Sequence, residues 1–571
     1  MNLMKKFFIT LAVIIFAGQY AFSADVWVND LRRLFTSNSS IIYEINLRTF
    51  GAQDTNKNGI IDFDEAEESG TFLNAIPRLS ELAQKGVNTI HVMPVTPVGK
   101  TKALGTAGSL YAASSFNTLN PQLASKNSAL SINDQARKFI NEAHKRHIRV
   151  IIDLPSCGSY DLYMQRPELF IKDKSGQPVI PADWTDVRLF NAGTETAVNR
   201  DVYNLYKEFV DMVISLGADG IRADVATLKP AKFWKDLIAY SRTKDHQFMW
   251  LAEASESWTS PVSEYAVFTP YDKLLEAGFD GYYGSFFNLK NYKTGREFIN
   301  QIIATNANIK KYAEPKAVIG SFTTHDEMSP ILINGERFSE MIVWLNATLP
   351  VNSYFVDGFD KGDNYIYLWA NKEAFKTFTD DDYYFVHRGK IDIFNFSRQP
   401  GGKSEKLLGS FMFGNQLKRE FSTIINNGQF IPLKSTAPTS FAYAMSYGGK
   451  SVVVIGNLNF RNNVDTVVSV PKLENKNIVL DPVYAKGVDI TLGKNDSWYR
   501  NADGSWPDMQ VEIHSDYEKA YQAGVTNKYK KASIRIEKYD GYSVDGNAHG
   551  EADLDGAKFQ LYADAACQTK A

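Results

Sequence analysis

Three acidic side chains stand at the ends of apolar runs, and their types suit the cleavage of a sugar bond. Gly220-Ile-Arg-Ala-Asp-Val-Ala226 carries Arg222 and Asp224, and Phe248-Met-Trp-Leu-Ala252 leads directly into Glu253. In an extended segment side chains alternate in direction, so Arg222 and Asp224 share one face while Ile221, Ala223 and Val225 share the other. An arginine beside an aspartate favours the ionised carboxylate that a nucleophile needs. Glu253 follows a run with no other charge, and burial against apolar walls would raise its pKa toward the range useful to a general acid. A third acid, Asp326, follows His325 near the end of Ala317-Val-Ile-Gly-Ser-Phe-Thr-Thr-His-Asp-Glu327. Two carboxyl groups in opposed environments are what glycoside hydrolysis requires, one to attack or stabilise the anomeric carbon and one to protonate the leaving oxygen.

A second pattern concerns a metal. Asp54-Thr-Asn-Lys-Asn-Gly-Ile-Ile-Asp-Phe-Asp-Glu65 has oxygen donors at loop positions 1, 3, 5, 9 and 12, with Gly at 6 and Ile at 8. This is the spacing of a calcium loop, and Asp54, Asn56, Asn58, Asp62, Glu65 and the Ile60 carbonyl would supply the hard oxygens that the ion demands. Ile41 to Leu47 reads as a strand rather than the helix of a paired calcium sensor, so the expected role of calcium is structural.

The elements that must position the acids alternate. Ile41-Ile-Tyr-Glu-Ile-Asn-Leu47, Asn88-Thr-Ile-His-Val-Met-Pro94 and Arg149-Val-Ile-Ile-Asp153 read as the first three strands, each separated by helical patterns. Ser131 and Asp134 form an N-terminal cap for the helix before the third strand. Val202, Leu205, Phe209, Val213 and Leu216 recur at helical spacing before the Arg222 strand, and Gly217 ends that helix. Repetition through Ser353-Tyr-Phe-Val356 predicts an α/β fold, a (β/α)8 TIM barrel with the acids at its C-terminal rim. Beyond about residue 400, Phe441-Ala-Tyr-Ala-Met445 and Ser451-Val-Val-Val-Ile-Gly-Asn457 read as β-strands, and from about Ser515 the chain turns polar.

Composition fits a large enzyme. With 571 residues, 44% apolar and 22% charged, the chain can bury several cores in two to four domains. A net charge of −3 favours neither nucleic acid nor an anionic membrane surface as partner. Lys5 and Lys6 precede Phe7-Phe-Ile-Thr-Leu-Ala-Val-Ile-Ile-Phe16, and Ala21-Phe-Ser23 offers small residues before Ala24, so residues 1–23 read as a cleaved export signal and the protein as periplasmic or extracellular. No later segment reads as a membrane span. Only Cys157 and Cys567 are available for a disulfide, so disulfides do not build the fold.

On the motifs carrying Asp224, Glu253 and Asp326, in that order, the chain resembles the α-amylase family, glycoside hydrolase family 13. The resemblance runs from about Ile41 to Gly358 and, more weakly, beyond. It implies Asp224 as nucleophile, Glu253 as acid/base and Asp326 as stabiliser of the transition state, with Arg222 and His325 orienting the nucleophile and the sugar hydroxyls. It also implies a tyrosine, Tyr111, stacked under the sugar at the point of cleavage, a short domain B excursion at about 157–192 within a barrel of 24–400, and a C-terminal antiparallel β domain over 401–514. The role of 515–571 is unassigned. Asp183-Trp-Thr-Asp186 in the excursion offers Trp184 for sugar stacking. The family's loop after the first strand binds calcium in several members, which agrees with the Asp54 to Glu65 spacing.

Two departures bear on function. The family's Asp-x-x-x-Asn-His reads Asp153-Leu-Pro-Ser-Cys-Gly158, and its Lys/His pair after the nucleophile reads Thr227-Leu228. The expected activity is retaining cleavage or transfer on an α-glucan or maltooligosaccharide. Loss of the Asn-His pair favours instead a catalytically silent sugar-binding barrel, against which stand the three intact acids.

Overall fold

The computed structural model describes residues 27–53, 55, 68–104, 108–182, 184–363 and 404–448, with short stretches beyond as far as residue 513. The export signal, the calcium-type loop with all six of its expected ligands, Asp183 and the 515–571 extension lie outside the described residues, as does Cys567. Cys157 is a buried free thiol.

Eight parallel strands form one sheet. In chain order they are β1 (Ile41–Ile45), β2 (Thr89–Val92), β3 (Arg149–Leu154), then, after a small hairpin of β4 (Cys157–Ser159) and β5 (Val187–Leu189), β6 (Gly220–Ala223), β7 (Met249–Ala252), β8 (Gly281–Tyr282), β9 (Ala317–Val318) and β10 (Ser353–Val356). Neighbours run β10-β1-β2-β3-β6-β7-β8-β9. A parallel bridge between Ile319 and Asn352 joins the two ends, with Gly320 N–H donating to Asn352 O at 2.7 Å and Asn352 N–H to Val318 O at 2.9 Å. The ring is a (β/α)8 barrel, and the β4–β5 hairpin is the short excursion expected after the third strand.

The two-residue period of the strands sorts their side chains into two cores. Ile41, Tyr43, Ile45, Ile90, Val92, Val150, Ile152, Ile221 and Trp250 face outward and join the large cluster packed against the helices. Ile42, Ile151, Met249, Leu251, Ala317 and Tyr354 face inward, where Leu31 and Phe35 of the helix Leu31–Thr36 plug one end of the barrel. Because both faces are covered, the strands read as near-continuous apolar runs. The inward positions one step further along β1, β2, β3 and β6 are Glu44, His91, Asp153 and Arg222. Register sets Glu44 beside His91 and Asp153 beside Arg222, so the apolar plug gives way to a layer of buried charge at the C-terminal end.

The helix before β6 spans Arg200–Leu216, capped by Asn199 at its start and by Gly217 in the left-handed region at φ 97°. Ser131 caps the helix Ile132–His144 by accepting the Asp134 N–H at 3.2 Å. The Asp134 carboxylate takes the Ser131 hydroxyl at 2.6 Å rather than reaching back to a backbone N–H. The first strand stops at Ile45, two residues short of the expected end. Asn46 accepts the Arg48 N–H at 3.1 Å and starts the short helix Leu47–Phe50 instead.

Beyond the barrel two small sheets form the C-terminal β domain. One joins β11 (Gln429–Pro432), β13 (Ser440–Tyr447), β14 (Lys450–Asn457) and β16 (Asn477–Ile478), and the other joins β12 (Lys434–Ser435), β15 (Thr466–Val470) and β17 (Met509–Ile513). Pairing is antiparallel except between β14 and β16. The helix Glu405–Glu420 packs Phe411 against Tyr43 and Phe355, so the barrel's outer helical layer continues past the boundary near residue 400. Tyr443 of β13 meets Thr348 at 2.7 Å, hydroxyl to hydroxyl, which ties the β domain to the helix Pro330–Thr348. Among the described residues no helix is long and apolar enough to cross a membrane.

Asn352 is the closing rivet of the ring. Its side chain accepts the Ser40 N–H at 3.0 Å and donates to Phe35 O at 2.9 Å, fully buried. Replacing Asn352 with Ala strands the buried Ser40 N–H and takes one of two donors from the Phe35 carbonyl, which keeps the Asn38 N–H. We expect a loss of about 2 kcal/mol or more in unfolding free energy, read from the denaturation midpoint at unchanged slope.

Candidate active site

Asp224 and Glu253 each hang from the last rung of the parallel ladder. Asp224 N–H donates to Leu154 O and Glu253 N–H to Ala223 O, both at 3.0 Å. This carries the two carboxyl groups into a cavity of about 550 Å³ that is also lined by Tyr111, His325 and Asp326, by Trp184 and Asp186 of the excursion, and by Trp258.

One guanidinium organises them. Arg222, fully buried, donates through Nη1 to both oxygens of Asp153 at 2.9 and 3.0 Å and to Asp224 Oδ1 at 3.2 Å. Its Nη2 lies 2.9 Å from Glu253 Oε2, and its Nε donates to the Tyr283 hydroxyl at 3.1 Å. Asp224 Oδ2 accepts the Ser156 N–H at 2.9 Å and the Ser156 hydroxyl at 2.8 Å. Glu253 Oε2 accepts the Val225 N–H at 2.7 Å, which leaves Oε1 to carry a proton. Val225 reaches that position with φ 30° and ψ 60°, a left-handed conformation that costs a β-branched residue roughly 1–3 kcal/mol.

The two acids differ in ionisation. Burial, reinforced by the charges of Asp224 and Asp326, outweighs Arg222 and pushes the Glu253 carboxyl up to about 8. Burial also raises Asp224 above its ordinary value, with Asp153 adding to the effect and Arg222 and Ser156 opposing it. The arginine alone therefore does not hold Asp224 low, as the bare Arg-x-Asp pattern suggested. With three donors against its neighbour's N–H and ion pair, Asp224 is the first of the two to ionise.

Behind them the charge is balanced by a histidine whose state follows from its partners. The Tyr111 hydroxyl donates its single proton to Asp153 Oδ2 at 2.8 Å. The contact of 3.0 Å between that hydroxyl and His325 Nε2 must then be a donation from the ring, and Nδ1 faces the Glu44 carboxylate at 2.6 Å. Both ring nitrogens carry hydrogen, so His325 is an imidazolium. Burial opposes this charge, but Asp326 and Glu44 outweigh it and push the ring up to about 10. Glu44 and Asp153 are held below their ordinary range against burial, Glu44 chiefly by His325 and Asp153 chiefly by Arg222.

The structure thus brings together Asp224, Glu253, Asp326, Arg222, His325 and Tyr111. Asp326 is not at a strand end. It lies in the loop beyond β9 with its side chain 37% exposed, its Oδ2 3.6 Å from His325 Nε2. Tyr111 stacks on His325 with ring centroids 5.5 Å apart. The sequence reading missed Glu44, His91, Ser156 and Tyr283, although the lone charges of Glu44 and His91 inside apolar strands were a usable signal. It also missed Lys229, buried, whose Nζ donates to Ser156 O at 2.8 Å. Burial lowers that lysine to about 8.

The altered motif after β3 has a steric cause. Cys157 lines the cavity, but a Cβ at Gly158 would lie 2.8 Å from the Phe170 ring and 2.9 Å from that of Phe190. Those two rings stack on each other at 4.7 Å between centroids. The excursion therefore packs where a side chain at 158 would project.

No protein-family model matches the chain. Over 226 residues it is 25% identical to the α-1,4-glucan:maltose-1-phosphate maltosyltransferase of Arcanobacterium haemolyticum, covering 37% of this chain and 31% of the relative. Over 136 residues it is 27% identical to the chloroplastic isoamylase SU1 of Zea mays, covering 22% of this chain and 16% of the relative. The chain thus matches less than a third of the length of either. The crystal structure of an α-amylase from Lactobacillus plantarum superposes with a TM-score of 0.59 at 16% identity, over 84% of this chain and 98% of that one, a likeness of fold.

The packing at Gly158 makes a direct forecast. Installing the family pair as Cys157→Asn with Gly158→His should lower the melting temperature through overpacking of about 1–3 kcal/mol, whereas Cys157→Asn alone should cost less. Thermal denaturation of the single and double variants reads the difference.

Proposed function

We propose that the chain is an enzyme of the α-amylase family, glycoside hydrolase family 13, that cleaves or transfers α-linked glucosyl units with retention at the anomeric carbon. The observation that carries this reading is a single arginine touching both Asp224 and Glu253 while the second is held protonated. Two carboxyl groups spanned by one guanidinium suit the close pairing, about 5 Å, of retaining enzymes. The glucan and starch-related names of the similar proteins support the substrate class.

In this mechanism Asp224, ionised, attacks the anomeric carbon as Glu253 gives its proton to the glycosidic oxygen. The departing sugar leaves a glycosyl ester on Asp224. Glu253, now a base, takes a proton from water or from an acceptor sugar as that oxygen displaces the ester and restores both acids. Asp326, the most exposed of the three, faces the developing positive charge on the sugar ring. The choice between water and sugar as acceptor separates a hydrolase from a transglycosidase. A silent sugar-binding barrel is the second reading, favoured by the missing side chain at 158.

Incubation with starch, maltooligosaccharides, trehalose and sucrose, followed by product sizing, decides between the readings, and no turnover of any of them favours the silent barrel. On the best substrate Asp224→Asn and Glu253→Gln should each lower kcat by roughly a hundred- to ten-thousand-fold with the fold intact. Because the working proton on Glu253 is held up to about 8, kcat/KM should fall as pH rises through that value and not in the ordinary carboxylate range. A profile already falling by pH 6 would contradict the assignment.

We also propose structural calcium in the loop from Asp54 to Glu65. Its base is pinned in the structure: Gln53 N–H donates to Glu68 O at 2.9 Å, and the buried Glu68 carboxylate accepts the Thr55 N–H at 3.1 Å. Metal bound only by the folded chain stabilises it by mass action, by about 2.7 kcal/mol at a hundredfold excess over Kd. Chelator should therefore lower the melting temperature, and Asp54→Ala should abolish the difference between chelator and added calcium.

A further inference from the structure

Behind the nucleophile two buried side chains converge on one short link. Pro155 and Ser156 join β3 to β4, and Ser156, 1% exposed, turns both its N–H and its hydroxyl onto Asp224 Oδ2 at 2.9 and 2.8 Å. Each backbone carbonyl of the link is taken by a side chain from elsewhere. Tyr206 of the helix Arg200–Leu216 donates its hydroxyl proton to Pro155 O at 3.0 Å, and Lys229 Nζ donates to Ser156 O at 2.8 Å. Lys229 is itself fixed: Thr269 Oγ1 donates to its carbonyl at 2.7 Å, and its ammonium lies 5.1 Å from the centre of the Tyr206 ring. Pro155 adds a φ locked by its own ring.

Packing alone would not require the ammonium. A buried charge is unfavourable unless it is partnered, and a methionine would fill the same space. Lys229 is close enough to the Asp224 carboxylate for the two charges to favour each other. Asp224, in turn, changes charge twice in the proposed cycle. Attack on the anomeric carbon removes the charge of the carboxylate, and when water or an acceptor sugar displaces the ester, the electron pair of the broken C–O bond returns to Asp224. Donors already aimed at that carboxylate meet the charge without reorganisation.

We infer that Ser156 is a positioning residue for the nucleophile, fixing and stabilising the Asp224 carboxylate through its N–H and hydroxyl, and that Lys229 holds Ser156 to that task through its carbonyl. This rests on the retaining reading of the site. The charges facing Asp224 are Arg222 on its own strand, Asp153 from β3, Glu253 from the end of β7, and Lys229. Cys157, Tyr111 and Tyr206 nearby are kept neutral by burial, which pushes their pKa values up. Removing the Ser156 hydroxyl alters none of these charges. A donor to the charged form holds a carboxyl pKa down, so its loss raises the pH at which Asp224 ionises.

The test reads the pH dependence of kcat/KM on para-nitrophenyl α-maltoside or, where that is not turned over, on the best substrate of the panel above. In Ser156→Ala the acidic limb, where Asp224 takes up a proton, should move upward by about one pH unit, while the alkaline limb set by Glu253 stays. Ser156→Thr keeps the hydroxyl and should keep the limb. Lys229→Met should move it in the same direction, and by less in the Ser156→Ala background than alone, because the two side chains act in series. A merely structural role would lower the plateau and leave the limb in place. An unmoved limb in Ser156→Ala, the same displacement in Ser156→Thr, or equal shifts from Lys229→Met in both backgrounds overturns the inference. If Lys229→Met melts below the assay temperature, Lys229→Gln takes its place in the comparison. A wild-type protein inert on every α-glucoside is the separate result that sinks the retaining reading and this inference with it.

Discussion

The buried guanidinium of Arg222 is the interaction on which the C-terminal half of the barrel depends. Asp153, Asp224 and Glu253 converge from β3, from the end of β6 and from the end of β7, and without a cation between them their mutual repulsion in a dry interior would be large. Arginine suits the place because its planar fork serves several oxygens at once and does not give up its proton. Asp153 takes the larger share through two contacts to Nη1, which also reaches Asp224, while Nη2 lies in ion-pair range of Glu253. The anchor accounts for an aspartate at the end of β3 that takes no part in the proposed chemistry.

A second cation completes the balance. His325 is charged because Asp326 and Glu44 outweigh its burial, and the Tyr111 hydroxyl, whose one proton goes to Asp153, accepts from its Nε2. The chain Asp153, Tyr111, His325, Glu44 thus runs around the inside of the barrel as a connected set of donors and acceptors. The same network sets the contrast between the two principal acids. Asp224 collects donors from Ser156 and Arg222, while Glu253 is enclosed with fewer, which suits the division of labour proposed for them as nucleophile and acid. Backbone strain at Val225 belongs to this arrangement, since its unusual conformation directs an N–H at Glu253.

The excursion after β3 packs on both the barrel core and the cavity. Phe170 and Phe190 stack in the space beside Gly158 and join the main barrel core through Phe116 and Tyr206, so a side chain at 158 has no room. Lys229, five residues after Asp224, points inward to the Ser156 carbonyl. Cys157, Trp184 and Asp186 of the excursion line the same cavity as the three acids.

The sequence by itself determined the strands that matter, because two-residue alternation and apolar runs are local properties, and it identified Asp224, Glu253 and Asp326 because each follows such a run. It determined also that Arg222 must share a face with Asp224. Tertiary structure alone decided what those charges do. Glu44, His91 and Asp153 are separated from Arg222 by scores of residues and meet it only through the register of parallel strands, which no local pattern encodes. The opposing pull of burial on Asp224 was out of sight of its neighbour Arg222 for the same reason. A pKa is the sum of burial and every charge nearby, and burial exists only once the barrel has closed. The absent side chain at 158 looked in the sequence like a simple loss. Only the packed chain revealed two aromatic rings occupying its space, because steric exclusion is a relation between segments that the linear order keeps apart.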